Sequence, residues 1–131
     1  MKLNTTTQYA IKIMSHIAKN DNNNFYNAKD ISEKLSIPYK YLTRIMAKLV
    51  NSNIITSTRG REGGYSLSKK PEQINIIDIL KAMDENIVED SCLLGTGSCN
   101  ENKRCSMHDK WKEPKESMQN MFQKTSLKDI S

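Results

Sequence analysis

Three cysteines and one histidine stand close together in the C-terminal half of the 131-residue chain. Six residues separate Cys92 from Cys99, five separate Cys99 from Cys105, and two separate Cys105 from His108. Thiolates and imidazoles are ligands of iron-sulfur clusters and of zinc, because both bind soft or borderline donors. The sequence therefore predicts a metal site on this glycine-containing loop.

The residues alone leave three kinds of site open. Structural zinc needs four closed ligands and commonly uses cysteine pairs two to four residues apart, a spacing that this segment lacks. The wider spacing on a longer loop suits an iron-sulfur cluster better. The third alternative is a set of reduced structural or redox-active thiols, with Lys103 and Arg104 stabilising the thiolate of Cys105. Chemistry favours the cluster over zinc, and zinc over free thiols.

No arrangement of nucleophile, acid and base points to catalysis, so the chain is predicted not to be an enzyme. The carboxylates of Asp84, Glu85, Glu89 and Asp90 precede the cysteines and are interpreted as a solvated acidic link. No run approaches the roughly 20 apolar residues that cross a bilayer. Lys12 interrupts the apolar run near the N-terminus, which argues against a signal peptide. We expect a cytoplasmic protein without a membrane partner.

The charge of the chain is divided unevenly between its two halves. Residues 1–71 carry 12 Lys and Arg against 4 Asp and Glu, a net charge of +8, whereas residues 72–131 carry 8 against 11, a net charge of −3. A basic half attracts a polyanion such as nucleic acid. Because lysine-rich surfaces are common, sequence motifs must decide whether nucleic acid is the partner.

The basic half has the sequence pattern of a helix-turn-helix. Apolar residues recur at three- and four-residue steps over residues 7–19, which predicts an amphipathic first helix. Asn27 suits the N-cap of a short second helix that breaks at Ser36-Ile37, and Pro38 opens a third helix. Two short helices joined by a tight turn are typical of this DNA-binding motif.

The third helix is predicted to expose a face that suits the major groove of DNA. That groove is roughly 12 Å wide, and it admits a helix whose polar side chains meet base edges while its cations neutralise phosphates. The candidate DNA-binding residues on this face are Tyr39, Lys40, Thr43, Arg44 and Lys48. Alone, the face would be an ordinary solvated surface, and the neighbouring helix and hairpin favour DNA.

A basic, glycine-rich segment between two strand-like runs predicts a β-hairpin wing. The runs are residues 54–58 and 65–68, and Arg59 and Arg61 flank Gly60 at the tip. Both arginines can reach a minor groove or its phosphates, so they complete the set of candidate DNA-binding residues. A solubilising hairpin is the alternative, since the glycines lack the spacing and the lysine of a nucleotide-binding P-loop.

The C-terminal half is predicted to continue with helices. Asn75 suits the cap of a connecting helix, and a long C-terminal helix has a sparse apolar face that is better buried against a second subunit than exposed to water. The apolar residues of that face are Trp111, Met118, Met121 and Phe122. Pro114 is expected to kink this helix or delay its start, and Thr125 to cap a last short turn.

These elements predict a mainly α fold with a small two-stranded β wing, in which a winged helix-turn-helix is followed by a long dimerisation helix. The chain divides into a DNA-binding region at residues 1–71, a connecting helix at 72–91, a cluster-binding loop at 92–108, and a dimerisation helix with a C-terminal turn at 109–131. At this length one compact core with an appendage is expected.

Four motifs carry a resemblance to a known family. They are Met1-Lys2-Leu3 with Tyr9-Ala10, Arg59-Gly60 with Gly63-Gly64-Tyr65-Ser66-Leu67, Ile79-Leu80 with Met83-Asp84-Glu85, and the three cysteines. Together they resemble the iron-sulfur regulators of the IscR and NsrR type, the Rrf-two or Rrf2 family, over nearly the whole chain. The resemblance implies a cytoplasmic homodimer with crossed C-terminal helices and a cluster loop beside the partner's N-terminal helix. Members respond to iron-sulfur supply, nitric oxide, redox state or iron.

By position, the resemblance makes Cys92, Cys99 and Cys105 the cluster ligands and places His108 where the IscR-like branch has its histidine ligand. The NsrR-like branch completes a 4Fe-4S site with an acidic residue near position 8 of the partner chain, where this sequence has Gln8. A 2Fe-2S cluster is therefore favoured, and a 4Fe-4S cluster is the alternative. The first cysteine spacing is one residue longer than in the IscR-like pattern.

The predicted function is that of a transcription regulator, specifically a repressor, whose homodimer binds double-stranded DNA at a palindromic operator under control of the iron-sulfur cluster. Two alternatives stay open. One is a zinc-stabilised or thiol-redox DNA-binding regulator, and the other is a small iron-sulfur electron carrier. An electron carrier needs neither a wing nor a recognition helix, so DNA binding separates it from the regulators.

Overall fold

The computed structural model describes residues 3–19, 25–60, 63–85 and 107–131. In chain order these ranges contain α1 (Thr5–Lys19), α2 (Ala28–Leu35), α3 (Tyr39–Asn51), β1 (Ile55–Thr58), β2 (Gly64–Leu67), a 3₁₀ helix (Pro71–Gln73), α4 (Ile76–Ala82), α5 (His108–Lys124) and α6 (Leu127–Ile130). The two strands form an antiparallel sheet. This confirms the predicted fold class, mainly helical with a small β wing.

An apolar core joins the three N-terminal helices to the wing and to α4. The helix α1 contacts α2, α3, α4, α6 and β2, so it lies at the centre of this arrangement. The largest fully buried side chains are Ile13, Met14, Ile17, Ile31, Ile37, Leu42, Ile45, Met46, Leu49, Ile55, Ile74 and Ile79. Because each such side chain contributes about 1.5–3 kcal/mol on burial, this core dominates the stability of the fold.

The helix-turn-helix forms as its local sequence dictates. The side chain of Asn27 accepts a hydrogen bond of 2.7 Å from the backbone N–H of Lys29, which confirms the predicted cap of α2. Ser36 ends α2 in the left-handed conformation with φ of 54°, and Ile37 N–H then bonds to the Ser32 carbonyl at 3.0 Å. The carbonyl of Pro38 accepts the first bond of α3. The turn between α2 and α3 is therefore tight.

The wing is attached to the body by a contact that the sequence did not predict. Tyr26 pairs with Tyr65 of β2 through two backbone hydrogen bonds of 2.8 Å each, like a single residue of a third strand. Gly64 has φ of 143°, and a Cβ atom there would stand 2.5 Å from the Tyr26 carbonyl oxygen. Glycine at this position is therefore what allows the segment before α2 to approach the wing.

Two helices end in the same type of hydrogen-bonded cap without a glycine. After α4, Asp84 N–H bonds to the Lys81 carbonyl at 3.2 Å and Glu85 N–H bonds to the Leu80 carbonyl at 2.9 Å, with Asp84 at φ of 56°. This is the Schellman arrangement, which usually has glycine at the left-handed position. Asn53 occupies the equivalent position after α3, with φ of 63°. Both ends turn the chain sharply.

The C-terminal turn packs back onto the N-terminal half. Ile76 N–H bonds to the Thr125 carbonyl at 2.9 Å, and Leu127 N–H bonds to the Ile74 carbonyl at 2.7 Å. The predicted cap at Thr125 is wrong by one residue. Ser126 is the N-cap of α6: its N–H donates to the Asp129 carboxylate at 2.9 Å, and its hydroxyl oxygen accepts from the Asp129 N–H at 3.3 Å. Hydrogen bonds from the backbone and side chain of Ser126 lower the pKa of the Asp129 carboxyl.

The helix α5 does not start late. It begins at His108 and continues through Pro114, so the expectation of a delayed start at this proline is wrong. A proline inside a helix removes one backbone hydrogen bond, here the bond to the carbonyl of Lys110. The helix contacts α4, and Phe122 is buried at the core.

Candidate nucleic-acid interface and cysteine segment

The two faces of α3 divide as the sequence predicts. Its apolar stripe of Leu42, Ile45, Met46 and Leu49 is buried. On the opposite side Tyr39 is 55% exposed, and Lys40, Arg44 and Lys48 are exposed as well. Thr43 is half-buried, and its hydroxyl donates to the Lys40 carbonyl at 2.9 Å. Burial of one face thus leaves the candidate DNA-binding face directed toward solvent.

The wing places one predicted arginine at a described position. Arg59 directly follows β1 and is exposed, whereas Arg61 lies outside the described residues. Gly63 N–H bonds to the Gly60 carbonyl at 3.1 Å, and a Cβ atom on Gly63 would collide with the carbonyl oxygen of Thr58. The backbone around Gly63 is therefore tightly packed, and the exposed side chain of Arg59 lies next to it.

The helix α3 is held against α1 by an aromatic and hydroxyl contact that sequence reasoning missed. The hydroxyl oxygens of Tyr41 and Thr6 lie 2.7 Å apart in a partly buried hydrogen bond. The rings of Tyr41 and Tyr9 meet edge to face with centroids 5.5 Å apart. No local sequence signal identifies this pair, because Tyr41 lies beside the predicted outward residues. The contact fixes α3 relative to the start of α1.

The end of α4 is tied to the start of α1, which corrects the interpretation of Glu85 as part of a solvated link. Glu85 Oε2 accepts hydrogen bonds from the Asn4 backbone N–H at 3.1 Å and from the Thr7 hydroxyl at 2.8 Å. Asn4 in turn accepts from the Thr7 N–H at 2.9 Å. Asp84 is exposed as expected, and Glu89 and Asp90 lie outside the described residues.

The predicted cluster ligands lie largely beyond the described part of the chain. Cys92, Cys99 and Cys105 are outside it, and of His108 only the backbone, at the start of α5, is described. Within residues 3–19, 25–60, 63–85 and 107–131, no group of three or more His, Cys, Asp or Glu side chains could hold a metal ion. The metal site on the cysteine segment stays a prediction from the sequence.

Comparison with known proteins places this arrangement in a family. The family model of the iron-dependent transcriptional regulators, Rrf2, matches residues 3–131, which include the helix-turn-helix, the wing, the cysteine segment and α5. The chain belongs to the Rrf2 family. Its match extends over both the basic half and the acidic half, as the sequence resemblance predicted.

Individual relatives and structures agree with membership in Rrf2. The HTH-type transcriptional regulator IscR of Cronobacter sakazakii is 31% identical over 86% of this chain and 69% of that protein. The structure of CymR, the global cysteine regulator of B. subtilis, matches with a TM-score of 0.84 and 24% identity over 99% of this chain and 95% of that chain. The oxidized form of Staphylococcus aureus CymR matches with a TM-score of 0.76 and 25% identity, over the same shares. The family model and the IscR relative are described as transcriptional regulators, a class distinct from enzymes.

The α5 helix of this Rrf2 protein leaves apolar surface uncovered. Met121 is 52% exposed, and Trp111 and Met118 are half-buried. The Trp111 Nε1 is buried, and among the described residues it has no hydrogen-bond acceptor. Lys115, one turn further on, is 6% exposed. No helix of the described chain is both long and apolar enough to span a membrane.

A histidine of the Rrf2 winged region has a cationic environment. His16 is half-buried on α1, in agreement with its interpretation as a partly exposed helix residue, and its ring meets Tyr26 edge to face at 6.2 Å. Burial lowers the pKa of His16 below 6.5, and the charges of Lys34 and Lys19 lower it further. Both effects favour the uncharged imidazole.

Proposed function

We propose that this Rrf2 protein is a cytoplasmic repressor whose homodimer binds a palindromic operator under control of an iron-sulfur cluster. The observation that carries the DNA-binding part is the exposed cationic face of α3, which stands beside a wing fixed to the same core. Membership in a family of iron-dependent transcriptional regulators supports the regulatory part.

The proposed DNA contacts divide between base edges and phosphates. Near the N-terminus of α3, Tyr39, Lys40, Thr43 and Arg44 are positioned to meet base edges in the major groove, and Lys48 meets a phosphate. The wing arginines, Arg59 and Arg61, are assigned to the minor groove or its phosphates. Binding is then strongly salt-dependent, because each phosphate contact releases counterions.

The dimer is proposed to form through α5. Exposed Met121 and half-buried Met118 and Trp111 lie on a helix whose apolar residues are only partly covered by its own chain. A second copy removes this apolar surface from water, and a twofold arrangement sets two recognition helices about one DNA turn, roughly 34 Å, apart. The proposal keeps the division of the chain into a DNA-binding region, a connecting helix, a cluster-binding loop and a dimerisation helix, at residues 1–71, 72–91, 92–108 and 109–131.

The donor set of the cysteine segment fits an iron-sulfur cluster. Three thiolates from Cys92, Cys99 and Cys105 with one imidazole from His108 suit a 2Fe-2S centre, since iron in such clusters accepts both ligand types. Gln8 lacks a carboxylate, and its amide donates to the Leu3 carbonyl at 2.7 Å, which gives the 4Fe-4S alternative less support. When bound, the cluster supplies a centre that changes with redox state, nitric oxide or iron supply.

A thiol-redox regulator is the second candidate function. The observation that favours it is the structural match to CymR of Staphylococcus aureus in an oxidized form, at 25% identity. In that case the cysteines would act as thiols, with a reactivity set by their electropositive neighbours Lys103 and Arg104. A zinc-stabilised regulator shares the same donor set, so chemical analysis must separate these cases.

Metal and sulfide analysis of anaerobically isolated protein tests the cluster. We expect iron and acid-labile sulfide in equal amounts, little zinc, and a 2Fe-2S optical and Mössbauer spectrum. Alanine at Cys92, Cys99 or Cys105 should abolish assembly, and His108→Ala should change the spectrum and its pH stability. Stoichiometric zinc without sulfide, or reversible disulfide formation without metal, would replace the cluster by one of the alternatives.

Operator binding tests the DNA interface independently of the cluster. With an operator selected from a random duplex library, Arg44→Ala should weaken binding by about tenfold or more, and Lys48→Ala should reduce the log-log salt slope by roughly one unit. Lys128→Ala is the matched control, because Lys128 is an exposed cation on α6 that pairs with Glu72 at 3.6 Å. Equal effects of all three variants would refute the assignment of α3 as the reading helix.

A further inference from the structure

Two consecutive threonines in the first turn of α1 bond to two different elements: one to α3 and the other to the end of α4. The Thr6 hydroxyl lies 2.7 Å from the Tyr41 hydroxyl on α3, the proposed reading helix. The Thr7 hydroxyl lies 2.8 Å from Glu85 Oε2, at the end of α4. A single helical turn therefore contacts both the reading helix and the segment that leads to the cysteines.

The Glu85 contact completes the cap of α1 from a distance. In a capping box, the acid that bonds the N-cap N–H stands three residues after the cap. Here Asn4 is the cap, Thr7 stands at that third position, and the carboxylate comes from Glu85, 81 residues away from Asn4. A carboxylate at a helix N-terminus also interacts favourably with the helix dipole, and charge-assisted bonds are the stronger ones. The start of α1 thus depends on where Glu85 lies.

The backbone at Glu85 is fixed by the end of α4 and continues toward the metal site. The bond from Glu85 N–H to the Leu80 carbonyl closes the Schellman cap, with Asp84 in the left-handed conformation. Cys92 follows seven residues later in the sequence. Because only six residues separate Glu85 from Cys92, a change at the cysteines can reach the residue that caps α1 through a short stretch of chain.

The Tyr41 contact lies on the reading side. Tyr41 packs its ring on Tyr9 at 5.5 Å in addition to bonding Thr6. It stands between Lys40 and Leu42, one of which faces solvent and the other the core. Displacing the first turn of α1 therefore changes how α3 is held against α1.

We propose that Glu85, Thr7, Thr6 and Tyr41 form a relay that transmits the state of the cysteine segment to the reading helix. The four are positioning residues, since none is proposed to touch the metal or the DNA. The inference rests on the proposed function, and it adds the route by which occupancy of the cysteine segment alters operator affinity. Such a route needs an element with two arrangements that both ends bias, and the proposal assigns that part to the first turn of α1.

The test compares operator affinity of the cluster-loaded and cluster-free full-length protein in wild type and three variants. Thr7→Val keeps a similar shape at a fully buried position but removes the hydroxyl, Tyr41→Phe keeps the ring contact, and Glu85→Gln removes the charge. Thr5→Val is the matched control, an exposed threonine in the same turn. Cluster absorbance is recorded for every sample.

The relay predicts that the ratio between the two affinities moves toward one by roughly 2- to 30-fold in the three variants while the cluster spectrum stays unchanged. The Glu85→Gln and Tyr41→Phe effects on cluster-free operator binding should be non-additive in the double variant. Thr5→Val should match wild type.

The outcomes separate the two proposals. A wild-type ratio of one refutes the switch and with it the regulatory role of the relay. A wild-type ratio far from one that persists in all three variants, with additive effects in the double variant, overturns the relay and leaves the proposed function standing. If Thr7→Val unfolds the protein, Tyr41→Phe and Glu85→Gln decide, because both act at partly exposed residues.

Discussion

The helices α3 and α5 differ in how their apolar residues are covered. In α3, Leu42, Ile45, Met46 and Leu49 are each at most 1% exposed, and every one of them contacts the core of its own chain. In α5, Phe122 is buried, but Met121 is 52% exposed and Trp111 has a buried indole N–H without an acceptor in the described chain. The apolar stripe of α3 is fully covered by its own chain, whereas that of α5 is not.

This difference teaches which part of the molecule depends on a partner. A helix whose apolar stripe is wholly buried keeps its position when the protein is a monomer, so the solvent-facing cations of α3 are presented in any oligomeric state. In the proposed dimer, a helix with half-covered methionines would gain stability from a second copy. Folding of the winged region and pairing of two subunits should therefore be separable by substitution.

The largest effect on stability should come from Ile45→Ala, which changes the fully buried apolar face of α3. Removing this buried side chain from α3 is expected to lower the free energy of unfolding by about 2–5 kcal/mol, because the surrounding core relaxes only in part. Denaturant unfolding measures it. Ala47→Gly, on the exposed face of α3, is the control and should cost about 1 kcal/mol. Equal losses would mean that α3 is not held by its apolar stripe.

A smaller effect is expected when the uncovered side is changed. Met121→Glu places a charge in the proposed contact between subunits and should raise the dimer dissociation constant at least about tenfold, or about 1.4 kcal/mol. Analytical ultracentrifugation measures it. Gln123→Glu adds the same charge to another exposed position of α5 and should leave the dimer nearly unchanged. The pairing surface lies elsewhere if both variants dissociate alike.

The contact of the C-terminal turn with the N-terminal half of the chain can be weakened at the N-cap of α6. Ser126→Ala removes the side-chain acceptor for the Asp129 N–H and should lower the free energy of unfolding by about 1 kcal/mol. Thermal or denaturant unfolding of Ser126→Ala and of a control variant measures this loss. Ser117→Ala, at an exposed position of α5, should have little effect. No loss in Ser126→Ala would show that α6 is held by packing of Leu127 alone.

The smallest effect concerns pH and the basic half. Burial and the charges of Lys34 and Lys19 hold the pKa of His16 below 6.5, so the folded state binds fewer protons than the unfolded state between that lowered pKa and 6.5. Stability from this group is fully present above pH 6.5 and is lost as the pH falls through that interval. His16→Gln should make the loss shallower in unfolding curves measured at several pH values. Identical slopes for wild type and variant would exclude this role.

Features set by local sequence could be predicted, and they include most of the helix-turn-helix. The three- and four-residue spacing of Leu42, Ile45 and Leu49 specifies the covered face of α3, and Asn27 has a side chain that caps its own helix. The cap of α6 was open to the same reasoning, because Ser126 and Asp129 have the spacing of a capping box and Thr125 does not. Choosing Thr125 missed that signal.

Contacts between distant segments could not be predicted from one sequence. Tyr26 pairs with Tyr65 across 39 positions, and Glu85 bonds to Thr7 across 78. Glu85 lies in an acidic stretch whose composition is typical of a solvated linker. Nothing in the neighbouring sequence indicates that it caps a helix. The exposed cationic face of α3, the proposed DNA-binding face, could be predicted from the local pattern, whereas the contacts that orient it depend on tertiary packing. The metal-ligand assignment stays a prediction.

The pairing of Tyr26 with Tyr65 has a consequence for how DNA shape is sensed. Because β2 is bonded to the residue that leads into α2, we expect the wing and the helix-turn-helix to move together, so that the proposed DNA contacts respond to the distance between neighbouring grooves. Tracts of A·T pairs narrow the minor groove, and pyrimidine–purine steps deform readily. Duplexes that differ only in such base pairs, outside the proposed contacts, should therefore differ in affinity for the protein. Tyr26→Pro removes one of the two backbone bonds between Tyr26 and Tyr65 and should reduce that difference in affinity.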